Sequence, residues 1–124
     1  MQDRARRRAA PLRALVVEDE GLIALLMEDH LRGMGVEEVV LAQTLEAGLA
    51  AARAEEFDLA VLDIDLRGQR SDPVADALAE RGVPFTFATA YGRQGLAPRH
   101  ADRPVVVKPA QFSELEAVVA ALLR

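Results

Sequence analysis

Acidic side chains follow two apolar segments of this sequence, each at the point where the segment ends. One group is the triplet Glu18-Asp19-Glu20, and the other is Asp63 with Asp65 two residues further on. Carboxylates that crowd together repel one another unless they share a proton or bind a cation. Magnesium takes oxygen ligands, usually one or two carboxylates together with waters and phosphate oxygens. The acidic groups therefore predict a Mg²⁺ site.

Two more residues fit phosphoryl chemistry at such a site. A bound cation would leave Asp63 ionised and available as a nucleophile toward a phosphoryl group. Thr89 follows a later apolar segment, and Lys108, the only lysine beside fourteen arginines, follows the last one. Phosphoryl transfer depends mostly on positioning and charge neutralisation, which a hydroxyl, an ammonium group and a divalent cation supply. Each residue alone is common on protein surfaces, and their order along the chain is what favours a shared site.

The elements that must position these residues alternate along the chain. Short apolar runs predict strands at 12–17, 38–42, 59–63, 85–88 and 105–107. Helical spacing predicts helices at 22–34, 45–54, 73–81 and in the last segment, from residue 112. Such alternation is typical of a parallel sheet with helices on both faces, which binds ligands beyond the carboxyl ends of its strands. In the first helix, the side chains at the spacing of one face are Ile23, Leu26, Met27, Leu31 and Met34.

One stretch, residues 91–103, breaks this alternation. It contains Gly92, Gly95 and Pro98, with Pro104 at its border, and has little helical periodicity. Glycine and proline are the strongest local breakers of regular structure. The sequence predicts a loop here, with at most one or two helical turns.

Composition limits the classes of function. The 124 residues, 51% hydrophobic, suit one domain, and the absence of cysteine suits a reducing, cytoplasmic compartment. No apolar run approaches the roughly 20 residues of a membrane helix. Residues 1–13 carry a charge of +4 and residues 14–124 a charge of −9, so the acidic body argues against nucleic acid as a partner. Residues 1–11 are expected to form a basic, disordered tail.

These motifs resemble the receiver domains of two-component response regulators. The resemblance rests on Val16–Glu20, Leu62–Ile64, Thr89 and Lys108-Pro109, and runs from about Leu12 to Leu123. It implies a receiver domain over 12–124 with a flavodoxin-like, doubly wound five-stranded parallel sheet of order 2-1-3-4-5 and a shortened or absent fourth helix. It also implies a single-domain response regulator that is not an enzyme in its own right.

A more specific resemblance lies in Pro84–Tyr91. The segment is similar to the PFxFATGY signature of the single-domain FAT GUY receivers of alphaproteobacteria, with Ala90 where that signature has glycine. Such receivers are often associated with sensor histidine kinases of the HWE or HisKA2 type. The resemblance therefore implies that kind of kinase as the partner, together with a downstream protein or a role as a phosphate sink.

The resemblance assigns a role to each matching residue. Asp63 would accept the phosphoryl group from a phosphohistidine, and Asp19 would bind Mg²⁺ directly, whereas Glu18 would act mainly through water. The backbone carbonyl of Asp65 would supply another ligand. The residues expected to contact the phosphoryl group are Thr89, Ala90 and Lys108.

The sequence also departs from the family in one respect. Many receivers carry an aromatic residue three positions before the lysine, where this chain has Val105. The usual coupling between the threonine and that aromatic ring is therefore not expected in this chain. Tyr91, the only tyrosine, is a candidate substitute for the switch.

Two alternative functions remain open on the sequence. Asp63-Ile64-Asp65 also resembles the D-x-D motif of haloacid-dehalogenase-type phosphatases, although that motif normally ends the first strand of the core. The second alternative is a receiver that is never phosphorylated and serves only as a binding module. The complete set of acids, threonine and lysine argues against the second alternative.

Overall fold

A parallel sheet forms the centre of the molecule. The computed structural model describes residues 11–89, 96–107 and 112–123. Five strands pair in the order β2-β1-β3-β6-β7, and every pairing between them is parallel. The five strands are β1 (Arg13–Val17), β2 (Glu38–Ala42), β3 (Leu59–Asp63), β6 (Phe85–Thr89) and β7 (Val105–Val107).

Helices cover both faces of this sheet. The described residues contain four α-helices, which are α1 (Gly21–Gly33), α2 (Leu45–Ala54), α3 (Asp72–Glu80) and α4 (Phe112–Leu122). One buried apolar cluster includes Ala52 of α2 and Leu78 of α3, and the other includes Leu31 of α1 and Val119 of α4. The predicted doubly wound α/β fold is confirmed. Its strand order is the predicted 2-1-3-4-5 once the small hairpin described next is set aside.

That hairpin was not predicted. Strands β4 (Asp65–Leu66) and β5 (Gln69–Arg70) pair antiparallel directly after β3, around the turn Arg67-Gly68. Both turn residues have positive φ, 55° and 86°, as a type I′ hairpin turn requires. The sequence signal was weak because asparagine or aspartate usually precedes glycine in such turns, and two-residue strands are too short to show alternation.

Residues 96–104 contain a short 3₁₀ helix at Pro98–His100 and no α-helix. The finding agrees with the predicted loop and its one or two turns, as far as these residues go. The rest of the connection between β6 and β7, residues 90–95, lies outside the described residues. So do residues 1–10, which hold most of the predicted basic tail.

Helix α1 packs the expected face on the core at four of its five predicted positions: Met27 and Leu31 are buried, and Ile23 and Met34 are partly buried against the same cluster. Its buried side chains are Ala24, Met27 and Leu31, which follow one another at intervals of three and four residues. The expected core position Leu26 was wrong, because it lies away from that row and is 46% exposed. Leu22 and Leu25 are 73% and 56% exposed, so three leucines of this helix face solvent.

Within the described residues, no helix has both the length and the apolar character needed to cross a membrane.

Candidate functional site

The carboxyl ends of three neighbouring strands bring four of the predicted site residues to one edge of the sheet, namely Glu18, Asp19, Asp63 and Thr89. The register pairs Val17 with Leu62, and the acidic triplet begins directly after Val17. It also pairs Asp63 with Ala88, so Thr89 lies one residue further along the next strand. These main-chain pairings carry residues that are far apart in sequence to a common edge, as the sequence predicted.

Three carboxylates meet at this edge. One oxygen from each of Glu18, Asp19 and Asp63 lies within 4.8 Å of the others. Glu18 and Asp63 are buried, and Asp19 is partly buried. Carboxylates held this close in a buried setting repel one another, and a hard divalent cation with oxygen ligands relieves that repulsion. The donor set therefore fits Mg²⁺.

Hydrogen bonds from main-chain N–H groups two residues further along the chain orient two of the carboxylates. The N–H of Glu20 donates to Oε2 of Glu18 at 3.1 Å, and the N–H of Asp65 donates to Oδ1 of Asp63 at 3.4 Å. The N–H of Glu18 donates to the carbonyl of Ala42 at 3.0 Å, which continues the β1–β2 pairing by one residue. The main chain on both sides of the cluster thus limits where these side chains can point.

Asp65 lies at the border of the cluster. Its side chain is exposed, and Oδ2 accepts a hydrogen bond from the N–H of Gly68 at 3.4 Å. The carboxylate therefore contacts the hairpin turn. The role predicted for Asp65 uses its backbone carbonyl, and that assignment stays a prediction.

Thr89 ends β6 as a buried residue, beside the strand that carries Asp63. The other three residues expected at the phosphoryl group or in the switch are Ala90, Tyr91 and Lys108, and all three lie outside the described residues. The described part of the site is therefore the acidic cluster with its neighbouring hydroxyl group.

Arg67 was missed by sequence reasoning. Its Nε lies 3.8 Å from Oδ2 of Asp19, so the hairpin turn brings a positive charge to the edge of the acidic cluster. The Arg-Gly pair four residues after Asp63 was the available signal. Without the hairpin, however, nothing in the sequence showed that this pair folds back toward the first strand.

A second polar group lies on the β6–β7 connection. Asp76 of α3 accepts hydrogen bonds from Nε and Nη2 of Arg99 at 2.8 and 2.9 Å, and its Oδ1 lies 2.8 Å from Nε2 of His100. The Arg99 guanidinium, and to a lesser extent His100, lowers the pKa of Asp76 below its ordinary value. The buried His100 ring packs edge-on against Phe85 and Phe87 of β6. This group holds the 3₁₀ segment against α3.

Comparisons with known proteins agree with this fold. The chain is 40% identical to SdrG of Sphingomonas melonis Fr1, with a TM-score of 0.80 over 93% of this chain and 98% of that one. A response regulator receiver domain protein (CheY-like) from Methanospirillum hungatei JF-1 is 25% identical, with a TM-score of 0.76, covering 92% and 94% of the two chains.

The two-component response regulator PhoP of Pseudomonas aeruginosa is 38% identical over 122 residues, which are 91% of this chain and 52% of PhoP. The chain spans about half the length of the curated relatives it matches. No family model matches the sequence. The fold, the acidic edge and these relatives together show that the chain belongs to the receiver domains of two-component response regulators.

Proposed function

We propose that this receiver domain accepts a phosphoryl group on Asp63 from a sensor histidine kinase. The proposal rests mainly on the carboxylate oxygens of Glu18, Asp19 and Asp63, which lie within 4.8 Å of one another. They lie at the sheet edge where β6 ends with Thr89. In the transfer, an oxygen of Asp63 bonds to phosphorus while the phosphorus–nitrogen bond of the phosphohistidine breaks. The imidazole leaves and takes up a proton.

Mg²⁺ belongs to this proposal as a cofactor held by Asp19, Asp63 and Glu18. When bound, it would supply positive charge to the acidic edge and to the phosphoryl oxygens. Thr89 would donate a hydrogen bond to one phosphoryl oxygen, and Lys108 would contact another. Ala90 would leave room for the group because its side chain is small.

The exposed face of α1 favours a protein as the phosphodonor. Leu22, Leu25 and Leu26 form this leucine patch, and α1 begins directly after Glu20. Contiguous exposed apolar side chains mark protein contacts more often than isolated ones do. A helical domain that carries the phosphohistidine and rests on the patch would bring that group to Asp63. We propose a kinase of the HWE or HisKA2 type, in line with the FAT GUY resemblance.

The output would be a contact with a downstream protein or the removal of phosphate from a shared kinase. We propose a cytoplasmic response regulator of the FAT GUY type, with Tyr91 as the candidate switch residue. It would take part in its own phosphorylation and slow dephosphorylation without turning over an external substrate. Asp65, the second acid of the D-x-D motif, contacts its own turn, a position that favours this reading over a phosphatase.

The test uses acetyl phosphate with Mg²⁺, followed by intact mass spectrometry. The wild type should gain the mass of one phosphoryl group, and Asp63→Asn should gain none. Asp29→Asn is the matched control, since Asp29 is an exposed acid on α1. It should behave as the wild type does.

Two results would contradict the proposal. One is equal phosphorylation of Asp63→Asn and the wild type, which would place the acceptor elsewhere. The other is no phosphorylation of the wild type either by acetyl phosphate or by HWE-type kinases that phosphorylate their own receivers.

A further inference from the structure

Arg67 occupies a backbone conformation that its side chain does not favour. Its φ of 55° lies in the left-handed region, which glycine and asparagine adopt readily and other residues adopt at a cost. Unfavourable backbone conformations of this kind persist only where the surrounding structure holds them.

The surroundings of Arg67 do hold it. Leu66, the residue before it, is buried in the core beside Ile64. The N–H of Ser71 donates to the carbonyl of Ile64 at 2.9 Å and closes the base of the loop. The hairpin is therefore fixed at both ends, and its turn projects next to the acidic cluster.

The side chain of Arg67 meets one specific carboxylate there. Its Nε lies 3.8 Å from Oδ2 of Asp19, with side-chain exposures of 81% for the arginine and 16% for the aspartate. The other arginine of the hairpin, Arg70, pairs instead with Asp72, at 2.7 and 3.3 Å. Two arginines three residues apart thus contact different acids, and Arg67 is the one that contacts the cluster.

We propose that Arg67 is a resident counter-ion for Asp19, which a divalent cation must displace, and that it thereby lowers the affinity of the site for Mg²⁺. The inference rests on the proposed function, because it needs Asp19 as a metal ligand. The guanidinium stabilises the metal-free state by attraction to Asp19, and it repels a cation bound beside it. Both effects act in the same direction.

The size of the effect follows from the exposure of the pair. Exposed ion pairs are weak, and their typical strength corresponds to a change of about two- to fivefold in an equilibrium constant. Arg67 would therefore tune the metal affinity without deciding whether the metal binds. Arg67 is a positioning residue in this proposal, since it acts through Asp19.

The test compares Arg67→Asn with Arg70→Asn at constant ionic strength. Asparagine suits a left-handed turn position, so Arg67→Asn removes the guanidinium and keeps the hairpin. Arg70→Asn removes the same charge from the same hairpin and leaves Asp19 untouched. Mg²⁺ is titrated into isotope-labelled protein, and the dissociation constant is read from the amide NMR shifts of residues 18–20 and 63–65.

The expected result is an Mg²⁺ dissociation constant about two- to fivefold lower for Arg67→Asn than for the wild type. Arg70→Asn should change it by less than half as much. Equal changes in the two variants, or weaker binding by Arg67→Asn, would overturn the role of Arg67 and leave the proposed function intact. A wild type that does not bind Mg²⁺ at all would overturn both.

Discussion

The acidic edge and the β6–β7 connection are held in place by different means. At the acidic edge, β3 is buried along its whole length and pairs with a strand on each side. The connection over residues 96–104 packs its 3₁₀ helix on β6 through His100 and ties it to α3 through one carboxylate, Asp76. The main chain thus sets the position of the clustered acids, whereas side-chain contacts of Arg99 and His100 hold the 3₁₀ helix of the connection. The structure of the acidic edge should therefore be insensitive to surface substitutions, whereas one substitution should loosen the 3₁₀ helix of the connection.

The largest expected effect is a loss of stability when the buried core beneath the acidic edge is truncated. Leu62 is fully buried directly before Asp63, so Leu62→Ala should lower the free energy of unfolding by about 2–5 kcal/mol. Leu22→Ala is the matched control on the exposed leucine patch and should change it by less than about 0.5 kcal/mol. Urea denaturation measures both. Similar losses in the two variants would show that the edge does not depend on its buried strand.

Within the acidic cluster, we expect Mg²⁺ affinity to depend most on Asp19. Asp19→Asn should weaken Mg²⁺ binding on the order of tenfold or more, since even residues that only support metal ligands cost about that much. Asp65→Asn should change the affinity far less, because the Asp65 carboxylate contacts the turn at Gly68. NMR titration with Mg²⁺ separates the two variants. A larger loss for Asp65→Asn would reverse their assigned roles.

The 3₁₀ helix of the connection should loosen locally when Asp76, the α3 carboxylate that binds it, is removed. Asp76→Asn should speed the hydrogen exchange of the His100 and Arg103 amides, which bond to nearby carbonyls at 2.9 and 3.1 Å. The amide of Leu62 in β3 should keep its protection. Asp72→Asn is the control, because Asp72 lies on the same helix and pairs with Arg70. Equal exchange at His100 in the two variants would contradict the role of Asp76 as an anchor.

The smallest expected effect is a pH dependence of the stability that Asp76 contributes. Because its neighbours, Arg99 first, lower the pKa of folded Asp76, its contribution to stability is complete above the ordinary aspartate pKa of about 4. The contribution is lost as the pH falls through the lowered value in the folded protein. The stability difference between wild type and Asp76→Asn should therefore close in acid, as denaturation at several pH values would show. A difference that widens in acid would contradict the ion pair.

The sequence predicted correctly the strands of the sheet and the acidic residues that their order brings together. The bounds of β2, β3 and β7 match the predicted runs. The signal was clearest for β3, because a strand that is buried along its whole length reads as a continuous apolar segment. Once the order was right, the meeting of Asp19 and Asp63 followed from topology. The hairpin and the exposure of Leu26 were missed because both depend on tertiary packing: a two-residue turn, and the edge of the helix face that meets the sheet, carry little local signal.

Site mapping on the phosphorylated chain tests the central claim most directly. The protein is treated with acetyl phosphate and Mg²⁺, then reduced with borohydride, which converts a phosphorylated aspartate into homoserine. The account predicts homoserine at position 63, formed only when Mg²⁺ is present. Homoserine at position 19 or 65, or formation at position 63 without any divalent cation, would contradict it.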